Sequence, residues 1–299
     1  MNTRNREAEA GSDGAIVRHG PSLQRLAALL TNHIRRRIGE RAFQFDGRLA
    51  DPGLGLVPPL DLSLFRDQPF LLDKLRQPEC GAALALNSFA LWRRAPGQLE
   101  LAGVSGFREV LLNLRCPTGI RGTPPHLDVL ARGRRALVAV SARGLEYLSR
   151  HTARVAPAYL ELEPPAGLGP WLELLRDLAA RRLSYRFLNA AMLGKLALAL
   201  GRTFPEHRIH LFQIFLEPRD ADSFEPFARH RRELESLRER VQGSRVSFTF
   251  DSFAALWREW ADRDEPPWLR PLVSQLEARY DIAVAARPTV GFPLAVAQR

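Results

Sequence analysis

The sequence predicts an α/β chain built on the order helix, three-strand meander, helix, strand, with added helices at both ends. Three observations carry that prediction. Residues Phe107–Arg115 place Val110, Leu112 and Leu114 on one face, as the period-two side chains of a strand require. His126–Ala131 and Arg135–Val140 are short apolar runs either side of a turn at Arg132-Gly133-Arg134, which reads as a hairpin. In His207–Glu217, Ile209, Leu211, Gln213 and Phe215 alternate with His210, Phe212 and Ile214. Two largely apolar faces fit a central strand covered on both sides.

The elements follow in order. Residues Met1 to about Gly20 are polar and Gly-containing and read as a disordered arm. A helix over 21–38 comes next, with Leu23, Leu26, Leu29, Leu30 and Ile34 on one face and Pro21 or Ser22 opening it. Residues 46–61 hold several Gly and Pro and read as an irregular connector. A second helical piece is expected over 62–76.

Residues 81–94 are helical in composition, with Leu84, Phe89, Leu91 and Trp92 as the apolar surface. Asn87 lies within this helix. It is expected to be exposed or bonded locally, because Asn competes with the helical backbone. The first strand leads into a turn-rich loop over 116–125 and then the hairpin. Short helical pieces are expected near 145–150 and 171–182. The longest clean helix, 185–202, carries a stripe of Leu188, Met192, Leu196 and Ala199. Lys195 stands at its edge, a place where lysine snorkels.

After the 207–217 strand, residues 224–242 form a charged helix with opposite charges three and four apart. A short strand at 246–250 follows. Helices over 253–260 and 268–280 are separated at Glu265-Pro266-Pro267, where proline stops one and starts the next. No internal repeat or linker divides the chain. Residues 21–299 therefore read as one domain, with a core at about 81–217 and a helical elaboration over 222–299.

The chain has 299 residues, 45% hydrophobic and 25% charged, as in a globular protein with a sizeable core. Its formal charge of +10 points to an anionic partner, nucleic acid before a membrane surface. Only Lys74 and Lys195 are lysine, and all other basic side chains are arginine. Codon bias in the coding DNA also produces such a ratio. Arg35-Arg36-Arg37 and Arg229–Arg232 read equally well as solvated faces. Cys80 and Cys116 make neither a disulfide framework nor a zinc site. The first residues lack a signal-peptide core, and no apolar run approaches the ~20 residues of a membrane span. A cytoplasmic protein without membrane attachment is the expectation.

No Walker loop, dinucleotide-type glycine fingerprint, HExxH or GxSxG is present. His207 and His210, three apart on a strand, face opposite sides and make a poor metal pair. His230 is expected on the surface. Nothing favours a Ser-His-Asp triad. What remains is Asp128 on one hairpin strand, facing Ser141 and Arg143 at i and i+2 on its partner.

At these residues the chain resembles the PD-(D/E)XK restriction-endonuclease-like superfamily, and within it a bacterial family of putative restriction endonucleases. The stretches that carry the resemblance are Asn87-Ser88-Phe89, Arg115-Cys116-Pro117-Thr118-Gly119, Pro124-Pro125-His126-Leu127-Asp128-Val129, Glu146-Tyr147-Leu148, Tyr185 to Ala191 with Lys195, Leu216-Glu217-Pro218, His230 to Glu233 and Leu256-Trp257. They run in order from about Gly81 to Tyr280.

The resemblance implies a Mg²⁺-dependent endonuclease in which an Asp and a following acid hold the metal and a lysine orients the attacking water. Asp128 falls at the first acid. Ser141 falls where the second acid belongs and Arg143 where the lysine belongs. Met192 replaces a common glutamine, and Asn113 a first-strand acid. Serine removes roughly a unit of ligand charge from a site for a hard cation. Arginine cannot deprotonate and is a poor proton shuttle. Glu146 could reach back as a replacement acid and second metal ligand.

Three readings follow. The first is a restriction-endonuclease-like protein with a weak or inactive centre that binds duplex DNA, with Arg121, Arg143 and Lys195 on phosphate. The second is an active Mg²⁺-dependent nuclease using Asp128, Glu146 and Lys195. The third is a non-catalytic scaffold for a protein partner.

Overall fold

The computed structural model describes residues 22–120, 124–149, 153–163 and 165–285. The arm expected over 1–20, Arg121 and the last residues of the C-terminal elaboration lie outside them. Helix α1, Leu23–Ile38, starts at Ser22, whose hydroxyl accepts the Arg25 N–H, so a short polar side chain supplies the cap that the first turn lacks. Leu26, Leu30 and Ile34 form its buried stripe. The single helical piece expected over 62–76 is broken into 3₁₀ turns at Leu62–Phe65 and Pro69–Leu71 and one α-turn, α2, Leu72–Leu75. Pro69 is the physical reason, since it offers no N–H to continue a helix from before it. Helix α3 runs Gly81–Phe89 and tightens into a 3₁₀ turn at Ala90–Arg93.

The sheet comprises β1 (Phe107–Arg115), β2 (His126–Gly133), β3 (Ala136–Arg143), β4 (Arg208–Phe215) and β5 (Val246–Ser252), in the order β1-β2-β3-β4-β5. The first three strands form an antiparallel meander, while β3, β4 and β5 are parallel. Parallel neighbours need crossover connections. Between β3 and β4 these are α4 (Pro157–Leu160), α5 (Gly169–Ala179) and α6 (Ala190–Thr203); between β4 and β5 it is α7 (Glu225–Arg240). Helices α8 (Phe253–Ala261) and α9 (Leu269–Tyr280) close the chain. Every position of β4 after Arg208 is buried, the pattern of a central strand with both faces covered.

One continuous apolar cluster runs from Leu26 to Val284. Ring contacts place the helices on it. Trp171 of α5 meets Phe248 of β5 edge-on at 6.1 Å, and Phe89 of α3 meets Trp260 of α8 at 5.4 Å. Among the described residues no helix is long and apolar enough to cross a membrane.

Three local expectations are overturned. Asn87 is fully buried. Its Oδ1 accepts the Val57 N–H, and its Nδ2 donates to the carbonyls of Gly55 and Ala83 and to the Tyr280 hydroxyl. The Ala83 bond is the local one expected, and partners from two other segments, residues 55–57 and Tyr280, offset its burial. His230 is also buried, stacked on Tyr147 at 4.2 Å and edge-on to Phe215 at 4.8 Å. The helix expected from Tyr185 begins only at Ala190. The preceding backbone is held out of it by Glu233, whose carboxylate accepts the N–H groups of Arg186, Phe187 and Leu188 at 2.8, 2.8 and 3.0 Å. Asn189 then caps the helix, accepting from the Met192 N–H.

Candidate functional site

Register places the family positions in a row. Leu112 pairs with Val129 and Leu114 with Leu127, which brackets Asn113 and Asp128. The β2–β3 pairing stops at Val129–Val140, one residue before Asp128 would meet Ser141. Ser141 in turn pairs with Gln213 of β4. Asn113, Asp128, Ser141 and Gln213 therefore mark one line across four strands, and the sheet is irregular along it. Asn113 adopts φ +53°, a left-handed conformation that Asn tolerates better than most residues.

Where the ladder stops, the Asp128 side chain takes over. Its Oδ2 accepts the Ala142 N–H at 2.8 Å. Burial pushes its pKa up to about 6, opposed by the Arg143 guanidinium and the Ala142 N–H; the Glu146 charge adds to the rise and Lys74 opposes it. Desolvation thus outweighs the cations around it. Ser141 is buried, at 1% exposure. Arg143 Nη1 donates to the carbonyl of Ala142 at 3.2 Å.

Glu146 opens a single 3₁₀ turn, Glu146–Leu148, not a longer helix. Its Oε1 accepts the N–H of Gly81, the first residue of α3, at 2.6 Å. A carboxylate at a helix N-terminus satisfies an orphan donor and complements the dipole. Cys80 caps the same helix through Sγ. Burial pushes its thiol up to about 12, so it is no thiolate nucleophile at neutral pH. Glu79, beside it, is raised by burial and pairs with Arg35 at 3.5 Å.

The structure brings Asp128, Arg143 and Glu146 into one electrostatic neighbourhood and sets Ser141 next to it in the strand row. It holds Lys195 elsewhere. The Lys195 Nζ donates to the Arg154 carbonyl at 2.6 Å and lies 5.5 Å from the Tyr159 ring centre. It lines a cleft that shares no residue with the surroundings of Asp128. Met192 is partly buried against the core.

Sequence reasoning missed Lys74 and Cys80 as neighbours of Asp128, and Glu79 as a neighbour of Glu146. They precede α3, and nothing in their spacing ties them to the hairpin. The signal was the unexplained cysteine just before a helical run. Glu233 was missed as the anchor of residues 186–188.

The donors at Asp128 are poorer than the two-acid centre that the resemblance implies. One Asp128 oxygen accepts from Ala142, one Glu146 oxygen accepts from Gly81, and Ser141 is neutral and buried. Among the described residues no group of three or more His, Cys, Asp or Glu could hold a metal ion. A hard cation bound by carboxylate oxygens needs donors that remain open to it. Compared with known proteins, the chain matches no family model, no curated protein and no solved structure.

Proposed function

We propose that this chain is a restriction-endonuclease-like protein that binds duplex DNA and whose metal centre has become part of the packing. The observation that carries this reading is the Asp128 carboxylate. It is bonded to the backbone of β3 and sits beside a buried serine and an arginine where a nuclease needs an acid and a lysine. The order α3, β1, β2, β3, α6, β4 supports the resemblance, because it is the order that the resemblance implies.

Support for an anionic partner comes from the same end of the sheet. Lys74 and Arg143 act on Asp128, and Lys74 and Arg115 act on His126, lowering its pKa after burial. None of these three cations has a salt bridge among the described residues. Three phosphate contacts there would give a log–log salt slope of about −3. Arg121 and Lys195 remain proposed phosphate contacts on the resemblance alone.

An active centre of Asp128, Glu146 and Lys195 has less support, since Lys195 lies in another cleft and Glu146 caps α3. A scaffold for a protein partner is favoured by one feature. The α7 arginines Arg231, Arg232, Arg238 and Arg240 are each paired with an acid, which leaves that face with little net attraction for phosphate.

The test is fluorescence anisotropy with duplex DNA across a NaCl series, alongside nicking of supercoiled plasmid with and without Mg²⁺. Salt-dependent binding without cleavage supports the reading. Mg²⁺-dependent cleavage abolished by Asp128→Ala overturns it.

A further inference from the structure

A second concavity is formed where α4, the loops after α5 and before α6, α6 itself and α7 meet. It has a volume of about 1270 Å³. Five cations line it, Arg154, Arg181, Arg186, Lys195 and Arg229, and among the described residues no aspartate or glutamate does. We propose that this cleft binds a phosphate ester, carried either by a nucleotide or by the end of a nucleic-acid strand. The inference goes beyond the reading at Asp128 and shares only Lys195 with it.

Charge pairing sets the cleft apart from the rest of α7. The other arginines of α7 each pair with an acid, Arg240 sharing Asp177 with Arg182. Toward the cleft that pairing fails. Arg229 reaches Glu233 at 3.3 Å, but this carboxylate already accepts three backbone N–H groups. Arg154, Arg181, Arg186 and Lys195 have no salt bridge among the described residues. The C-terminal end of α5 favours a cation through its dipole, which explains Arg181 and not the other four.

Parts of the cleft are anchored before any ligand arrives. Glu233 pins the backbone of residues 186–188, and so the base of Arg186. Lys195 is fixed by the Arg154 carbonyl and the Tyr159 ring. Arg181 adopts φ +56°, a conformation that residues other than glycine take up at a cost and that recurs at binding sites. Preset donors lose less entropy on binding.

The chemistry of the wall selects the ligand. Arginine forks match phosphate oxygens in pairs. Leu178, Leu183 and Tyr185 also line the cleft and give an apolar surface for a sugar or base. A space of this size exceeds what inorganic phosphate fills and suits a ligand with an organic portion.

The experiment titrates the full chain at low salt with ATP, pyrophosphate, and a short single strand with or without a 5′-phosphate. Calorimetry reads the affinity. ATP binding, or a clear preference for the 5′-phosphorylated strand, is expected, and the two arms distinguish nucleotide from strand end. Lys195→Glu and Arg186→Glu should each weaken binding at least tenfold, while Arg41→Glu, at an exposed arginine outside both sites, should not. Thermal melting shows that each variant folds; if either fails, Ser184→Glu at the exposed rim adds a negative charge there instead. Absence of binding to every probe overturns the proposal, as does equal weakening by Arg41→Glu. Failure of the Asp128 reading would appear as Mg²⁺-dependent cleavage or lost duplex binding, neither of which alters the ATP titration.

Discussion

Asp128 and Ala142 are joined by a 2.8 Å side-chain-to-backbone hydrogen bond at the point where the β2–β3 ladder ends. The bond ties the carboxylate to a partly buried position whose desolvation raises its pKa from 3.8 to about 6. The folded state then binds more protons than the unfolded one between those values, so stability falls as pH rises through that window. The contribution is fully present below pH ~4 and lost above pH ~6. A shift of this size corresponds to about 1–3 kcal/mol. Asp128→Asn keeps an acceptor for Ala142 and removes the charge. It should raise the melting temperature by several degrees at pH 8, at about 2–4 °C per kcal/mol, and give no gain at pH 4. A lower melting temperature at pH 8 would show that the Arg143 charge, not burial, controls this carboxylate.

Glu233 should matter more than any exposed acid of α7. It is buried and accepts from three consecutive backbone N–H groups. Removing it leaves donors that water reaches poorly, each costing about 1–3 kcal/mol. Glu233→Ala is expected to destabilise the chain by about 3 kcal/mol or more in urea melts. Glu233→Gln, which retains one acceptor oxygen, should cost distinctly less. Glu235→Ala, whose partner is the exposed Arg238, should cost under about 1 kcal/mol.

The same contrast explains what the sequence could and could not show. Period-two patterning put β1 at Phe107–Arg115 without error and found both strands of the hairpin, because face alternation is written directly into a strand. The start of α6 was misplaced because Tyr185–Leu188 has helical composition, and the group that withholds it from the helix, Glu233, lies more than forty residues away. Asn87 and His230 were misjudged for a related reason. Their burial depends on partners such as Tyr280 and Tyr147, which no local window contains. Around Asp128 the hairpin neighbours Ser141 and Arg143 were legible, whereas Lys74 and Cys80 arrive through tertiary packing.

Asn87 offers a direct check on that packing. All of its polar atoms are engaged in the interior, and Tyr280, one of its partners, also donates to the Pro78 carbonyl at 3.0 Å. Asn87→Leu has similar volume but strands the Val57 N–H, while the Gly55 carbonyl keeps only its Arg279 Nη1 donor. A loss of about 2–4 kcal/mol is expected. Tyr280→Phe should cost about 1 kcal/mol. A double-mutant cycle between the two should show coupling, since they share a hydrogen bond; strict additivity would mean that the contact contributes nothing.

Gly144 tests how the hairpin is locked to α3. A Cβ added there would lie 1.9 Å from the Glu79 carbonyl oxygen, and one added at Gly81 would lie 2.3 Å from the Ala142 carbonyl oxygen. Both obstacles are backbone, which cannot rotate aside as a side-chain tip can. The two glycines let the end of β3 and the start of α3 approach closely enough for Glu146 to reach the Gly81 N–H and for Asp128 to be buried beside them. Gly144→Ala should therefore cost about 3 kcal/mol. Gly103→Ala provides the comparison: its φ is +71° but nothing lies within 4 Å of the added carbon, so only the conformational penalty of about 1 kcal/mol applies. Hydrogen exchange should locate the damage in Gly144→Ala, with faster exchange at the Gly81 and Ala142 amides than in Gly103→Ala at matched stability. Equal protection at those two amides in both variants would show that the close approach does not hold the Asp128 end of the sheet together.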